Sequence, residues 1–177
     1  MPNSARWWTW ISTKTWMTGL APETGTRPNG VTPHVDPTCR YCTATVAELE
    51  DVMFHVADLD RSRVFLFRDQ THQGRCVVLL KKHVRELFEL EDEDLRVFMR
   101  EVARVAAAVA QVSACDKVNY ALYGDRANHL HVHVVPKTRS GPAWGQPFIL
   151  NADVPVALAP PERQAMLIKL KHLLQAE

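Results

Sequence analysis

No apolar run in this sequence approaches the roughly 18 residues that a bilayer-spanning helix needs, so no membrane association is expected. An excess of one charge is also missing: 21 Lys and Arg face 20 Asp and Glu, a formal net charge of +1. That balance argues against a protein held on extended nucleic acid mainly through phosphate contacts. It leaves room for a small anionic ligand in a local pocket. Cysteine is scarce, with four in 177 residues, two of them in the C-x-x-C pair "CRYC". This usage suits reduced thiols around a metal rather than a disulfide framework, and a cytoplasmic location is expected on that ground. No internal repeat is visible. The N-terminus lacks the uninterrupted apolar stretch of a signal peptide, because Lys14 breaks it. Trp7, Trp8, Trp10 and Trp16 crowd there instead. An ordered extension and a start codon assigned too far upstream are both open readings.

The apolar share of 46% and charged share of 23% are those of a globular chain long enough to bury a core without staples. Residues 1–38 read as an N-terminal extension and irregular arm, punctuated by Gly19, Pro22, Gly25, Pro28, Gly30, Pro33 and Pro37. Residues 39–150 read as the main domain, and 151–177 as a C-terminal segment with an amphipathic helix. Within the domain a short helix is expected over 43–51. β-rich runs follow from 52, 63 and 75, the last two joined by a hairpin loop, "DQTHQG", ending at Gly74. A turn of helix over 83–90 is expected to enter a long helix. There Leu95, Phe98, Met99, Val102, Ala106, Val109 and Val112 keep 3-and-4 spacing. The acidic residues 91–94 lie at its N-terminal end, where the helix dipole favours them. Strands over 117–124 and 129–136 come next. The last helix starts near Pro160 and Pro161 and carries Met166, Leu167, Leu170, Leu173 and Leu174. The order β-β-β-α-β-β indicates an α+β fold with a mainly antiparallel sheet of about five strands. The loop over 138–147 is long enough to reach over a site.

The stretch "HLHVHVVP" (129–136) places His129, His131 and His133 at every second position. In a strand, residues two apart share a face and lie about 6.6 Å apart. The three rings therefore project together while Leu130, Val132 and Val134 pack on the other side. Two kinds of chemistry fit. Neighbouring imidazoles can chelate a metal. Alternatively, a central neutral imidazole can attack phosphorus while its neighbours hold the substrate or feed a proton to the leaving group. Cys39 and Cys42 have the spacing of half a tetrahedral zinc site, which His83 and one histidine of the stripe could complete. Such a closed set is structural and leaves two histidines for chemistry.

The stretch His-Leu-His-Val-His-Val-Val resembles the signature of the histidine triad (HIT) superfamily, His-φ-His-φ-His-φ-φ with φ apolar. The likeness extends over roughly 39–150, to "KKHV" at 81–84, to "VNYALYG" before the triad, and to the G-x-x-W-G stretch after it. With "CRYC" the chain looks like the zinc-containing bacterial members. The resemblance implies a HIT-like fold and a homodimeric nucleotide hydrolase acting at an α-phosphate through a nucleotidyl-histidine intermediate. By motif position it implies His131 as nucleophile and His133 bonded to the phosphoryl or bridging oxygen. It further implies structural zinc on Cys39, Cys42, His83 and His129, as in the similar galactose-1-phosphate uridylyltransferase, whose first motif histidine binds zinc. Asn119 matches a polar residue near the phosphate or sugar, and Asp69 a residue that binds ribose hydroxyls. Trp144 matches a place over the base or against the partner subunit. Relatives carry Gly-Gln-Ser/Thr before the triad. Here Gly124-Asp125-Arg126-Ala127-Asn128 stands in its place, with backbone N–H groups and Arg126 available to phosphate.

Three other readings stay open at this point. One is a nucleotidyl transferase or phosphorylase, in which phosphate resolves the intermediate. Another is a zinc-stabilised nucleotide-binding module with vestigial chemistry. The third is a catalytic metal on His129, His131 and His133.

Overall fold

In the computed structural model, which describes residues 35–175, the alternating runs form one antiparallel sheet. Its strands are β1 Met53–Asp58, β2 Ser62–Phe67, β3 Cys76–Leu80, β4 Lys117–Ala121 and β5 His131–Lys137. They lie in the order β1-β2-β3-β5-β4. The tryptophan cluster and most of the Pro/Gly-rich arm lie outside the described residues.

The two faces of the sheet separate the core from the chemistry. Val64 and Leu66, Cys76, Val78 and Leu80, and Val132 and Val134 form one face. Against it pack α3 (Asp92–Ser113), through Phe98, Val102, Val105 and Val109, and α4 (Pro160–Gln175), through Met166, Leu170 and Leu174. Phe98 is fully buried; truncating such a phenylalanine to alanine costs roughly 3–5 kcal/mol. Glu101 of α3 is also buried, but satisfied: it accepts from the Arg61 N–H at 2.8 Å and from the Ser62 hydroxyl at 2.5 Å. On the opposite face Met53, Phe65, Val77 and Leu79 make a smaller cluster with Leu49. His131 and His133 share that face, paired in register with Leu79 and Val77. The expected α+β architecture, with five strands, one long helix and a C-terminal helix, is the one observed.

Local differences from the expected elements have visible causes. The helix expected over 43–51 is two single turns, α1 (Arg40–Thr43) and α2 (Val46–Leu49). Thr45 is extended and caps α2, with a reciprocal Thr45–Glu48 capping box. The helical turn expected to lead into α3 is a separate 3-10 turn, Leu87–Glu89. Leu90 and Glu91 are extended after it, so the two cannot fuse. The last strand begins at His131, two residues later than expected. Gly74 does close the β2–β3 loop, at φ +96, a conformation that a side chain disfavours.

Candidate active site and metal centre

Two pairs of metal-type ligands meet at one end of the β3–β5 pair. Cys39 caps α1 and Cys42 lies within it, so one helical turn brings both thiols to one side. His83 follows β3 and His129 precedes β5. The pairing of these strands therefore brings the two imidazoles together, with ring centroids 5.2 Å apart. Cys42 Sγ is 3.2 Å from His83 Nδ1 and 3.5 Å from His129 Nδ1, and Cys39 Sγ is 3.4 Å from His129 Nδ1. All four ligand atoms fall within 4.8 Å of one another. Tetrahedral zinc, with bonds near 2.3 Å to sulfur and 2.0–2.1 Å to nitrogen, separates S and N by about 3.6 Å. The donor set fits that ion in type, number and spacing.

The outer nitrogens also face polar partners, as those of metal-bound histidines generally do. His129 Nε2 donates to the Leu80 carbonyl at 2.7 Å, and His83 Nε2 lies 3.6 Å from an Asp36 carboxylate oxygen. Burial, partly offset by the Leu80 bond, holds His129 well below its ordinary range, at about 4. It is thus a neutral imidazole with its lone pair on Nδ1, the form that can ligate a metal. Among the described residues no other group of three or more His, Cys, Asp or Glu converges in this way. The three-histidine metal site is therefore not assembled.

The remaining rings of the stripe are held in different states. His131 Nδ1 lies 2.7 Å from the His129 carbonyl oxygen. A carbonyl only accepts, so Nδ1 carries the proton and Nε2 carries the lone pair. Burial lowers the pKa of His131, which keeps that lone pair free near neutrality. His133 packs edge-on to His131, with centroids 5.2 Å apart. Burial first, then the Arg75 charge and the closeness of the His131 ring, push His133 down to about 3. The site accordingly offers an unprotonated imidazole nitrogen beside a second neutral ring.

A cavity of about 690 Å³ opens beside Cys39. Tyr41, Val52 and Phe67 supply its apolar wall, and Arg126 and Asn128 its polar one. Among the described residues Arg126 has no ion-pair partner. Gly124 lines a second opening, of about 220 Å³, together with Tyr123, His129 and His131. Gly124 thus shares an opening with His129 and His131, while Arg126 and Asn128 line the larger cavity beside Cys39, Tyr41 and Phe67. Asn119 lies on β4 opposite Val135, one alternation beyond the Ala121–His133 pair. Asp69 and Trp144 line neither opening. Asp69 Oδ1 instead accepts from the Thr71 N–H and hydroxyl and from the Val156 N–H. Burial raises the Asp69 pKa, but these bonds outweigh it and hold the carboxyl below its usual value. Trp144 is partly exposed, with the Arg139 guanidinium 5.3 Å from its ring.

Several site residues escaped the sequence reading. Tyr41 sits between the two cysteines and meets His131 edge-on at 5.6 Å. Phe67 and Phe148 flank His133 at 6.0 and 6.3 Å, and Arg75 contacts it directly. Strand alternation from Val77 and Phe65 would have placed Arg75 and Phe67 on the histidine face. Nothing local marks Phe148. The loop after β5 is held by buried Lys137, whose ammonium donates to the carbonyls of Ala143 and Gln146.

Comparison with known proteins agrees with this fold. The HIT domain family model matches residues 48–140. Protein hit of Bacillus subtilis is 22% identical over 125 residues, covering 68% of this chain and 85% of its own. A histidine triad protein from Bradyrhizobium japonicum superposes with a TM-score of 0.67 at 23% identity, covering 74% of this chain and 97% of that one. A Zn-bound histidine triad family protein from Mycobacterium smegmatis gives 0.54 at 18% identity, over 78% of this chain and 94% of that one. Among the described residues no helix is long and apolar enough to cross a membrane.

Proposed function

This chain belongs to the HIT domain family, and on that premise we propose that it is a nucleotide hydrolase acting at an α-phosphate. The substrate class is a dinucleoside polyphosphate or a nucleoside phosphoramidate. The observation that carries the reading is the 2.7 Å bond from His131 Nδ1 to the His129 carbonyl, because it leaves Nε2 as a free nucleophile. Nε2 attacks the α-phosphorus, a P–N bond forms, and the P–O or P–N bond to the leaving group breaks, a leaving phosphate departing as its anion and a leaving amine taking a proton from solvent. The developing imidazolium keeps its Nδ1–H on the His129 carbonyl, which favours the charge. Water then attacks phosphorus, releases Nε2 and gives the nucleoside monophosphate, its proton passing to solvent. His133 serves the phosphoryl group, and Arg126 with the backbone at Gly124 serves the neighbouring phosphates. Asn119 and Asp69 are assigned to the sugar side and Trp144 to the base or the partner copy.

Zinc, held by Cys39, Cys42, His83 and His129, would be structural, since four protein ligands leave no open position. The zinc of the Mycobacterium smegmatis relative supports this assignment. The reduced cysteines support a cytoplasmic setting. A homodimer is supported by β4, an edge strand beside which Tyr120 is 54% exposed and Leu122 43%. The test is a panel of nucleotide substrates labelled at the α-phosphate, with acid-quench trapping of the protein adduct. The expected result is label on His131 and none on His131→Ala. Turnover by His131→Ala at the wild-type rate overturns the mechanism.

A further inference from the structure

Arg75 carries a cation into a dry part of the site. It is 1% exposed, and its guanidinium lies between two rings, 4.1 Å from the Phe67 centroid and 5.4 Å from that of Phe148. Nη1 donates to the Leu150 carbonyl at 2.8 Å, and Nη2 stands 3.3 Å from His133 Nδ1. The remaining nitrogen, Nε, is buried without a hydrogen-bond partner. Burial lowers the Arg75 pKa to about 10, which still leaves it a cation near neutral pH.

A guanidinium has five N–H groups and no acceptor. The contact with His133 can run only from Nη2–H to a lone pair on Nδ1. The single proton of a neutral imidazole must then sit on Nε2. A second proton, on Nδ1, would set two N–H groups against each other beside a buried charge. We propose that Arg75 is a positioning residue, fixing His133 as the neutral Nε2–H tautomer so that it meets the phosphoryl group as a hydrogen-bond donor and not as an imidazolium acid.

The pattern along the stripe gives this assignment its sense. His129 is held with its proton on Nε2 by the Leu80 carbonyl, and His131 with its proton on Nδ1 by the His129 carbonyl. In both cases the bonded nitrogen faces a backbone acceptor. His133 is the ring of the stripe set by a side-chain donor, and Arg75 alone supplies it among the contacts seen. The same guanidinium ties in Leu150 and packs on Phe148. The segment after the long loop is thereby anchored to the ring it covers.

The use of this tautomer rests on the hydrolase reading; the tautomer itself does not. The experiment is long-range proton–nitrogen NMR of the full chain, with His133 assigned, between pH 6 and 8. The expected wild-type spectrum shows Nε2 protonated and Nδ1 unprotonated throughout. Arg75→Met should mix the tautomers and lower kcat roughly 10- to 100-fold, the range for losing a charged hydrogen bond, with little change in KM. Arg75→Lys keeps a donor and should recover the Nε2–H signature and part of the rate. In a His133→Ala background the Arg75→Met loss should nearly vanish. An Nδ1–H tautomer or an imidazolium in the wild type overturns the proposal. So does an Arg75→Met rate loss that is undiminished when His133 is absent. The wild-type spectrum needs neither a folded variant nor turnover. An inactive protein with the expected tautomer would count against the hydrolase reading alone.

Discussion

His129 and His131 are joined through the backbone of one and the ring of the other: His131 Nδ1 donates to the His129 carbonyl at 2.7 Å. The proposed zinc ligand that faces the two thiols thus also orients the proposed nucleophile. Replacing the ring of His131 removes the nucleophile without touching the thiols. His131→Ala should lower kcat on the order of 1000-fold or more, while zinc content and affinity for a non-hydrolysable nucleotide stay close to wild type. Steady-state kinetics, metal analysis and calorimetric titration check the three parts separately.

The metal assignment predicts one zinc per chain and a loss of stability when the thiols go. Cys39→Ser with Cys42→Ser should abolish stoichiometric zinc and lower the melting temperature sharply, since binding free energy at such sites is folding free energy. Atomic absorption together with thermal unfolding tests this. A double variant that keeps both zinc and its melting temperature would exclude Cys39 and Cys42 as ligands.

Much of this site was legible because strand geometry is periodic. Alternation alone put His131 and His133 on one face and Val132 and Val134 on the other, and that is where they lie. The thiol spacing in "CRYC" survives folding because a single turn of α1 converts it into proximity. The tuning of the rings was not legible. Arg75 reads as an ordinary first residue of a β-rich run. Its burial depends on Phe67 from β2 and on Phe148, more than seventy residues away in sequence. The division of 83–90 from α3 was hidden for a different reason. No glycine or proline separates Leu87 from Leu95, yet Leu90 and Glu91 take extended backbone that no periodicity records.

Acid stability follows from the state of His133. Its neighbours are Arg75, His131 and the rings of Tyr123, Phe67 and Phe148. Burial and the Arg75 charge hold its folded pKa at about 3, below the ordinary histidine value of 6.5. The depressed value means that the native state refuses a proton which the unfolded chain accepts. Stability contributed by neutral His133 is therefore intact above pH 6.5 and is lost as pH falls toward 3. The urea midpoint should drop between pH 7.5 and pH 5, and drop less in His133→Gln. Equal drops in both proteins would assign the acid sensitivity to other groups.

Gly74 sits at φ +96, and a Cβ there would stand 3.3 Å from Ser113 Cβ and 3.4 Å from Pro136 Cγ. Both neighbours are packed rather than free-ended. Gly74→Ala should cost about 1–3 kcal/mol from backbone strain, read as a lower denaturant midpoint. The β2–β3 hairpin leads directly into Arg75, so the same variant should also disturb the His133 NMR signals.

Arg126 and Asp69 should separate by the kind of damage their loss does. Arg126 lines the 690 Å³ cavity with no ion-pair partner among the described residues, so its charge is available to a phosphate. Arg126→Ala should raise KM by roughly tenfold, the scale of one charge-assisted hydrogen bond, and leave the melting temperature unchanged. Asp69 already spends Oδ1 on Thr71 and Val156. In the free protein that carboxylate anchors the segment which also receives Gln70 N–H at the Val156 carbonyl, 2.7 Å away. Asp69→Ala should therefore lower the melting temperature as well as affect catalysis, because three bonds lose their acceptor at once. Asp69→Asn, which keeps a carbonyl oxygen, should regain most of the stability. If Asn restores stability but KM stays high, the second carboxylate oxygen serves the sugar. If Asn restores both, Asp69 acts on the fold and the assignment of Asp69 to ribose is wrong.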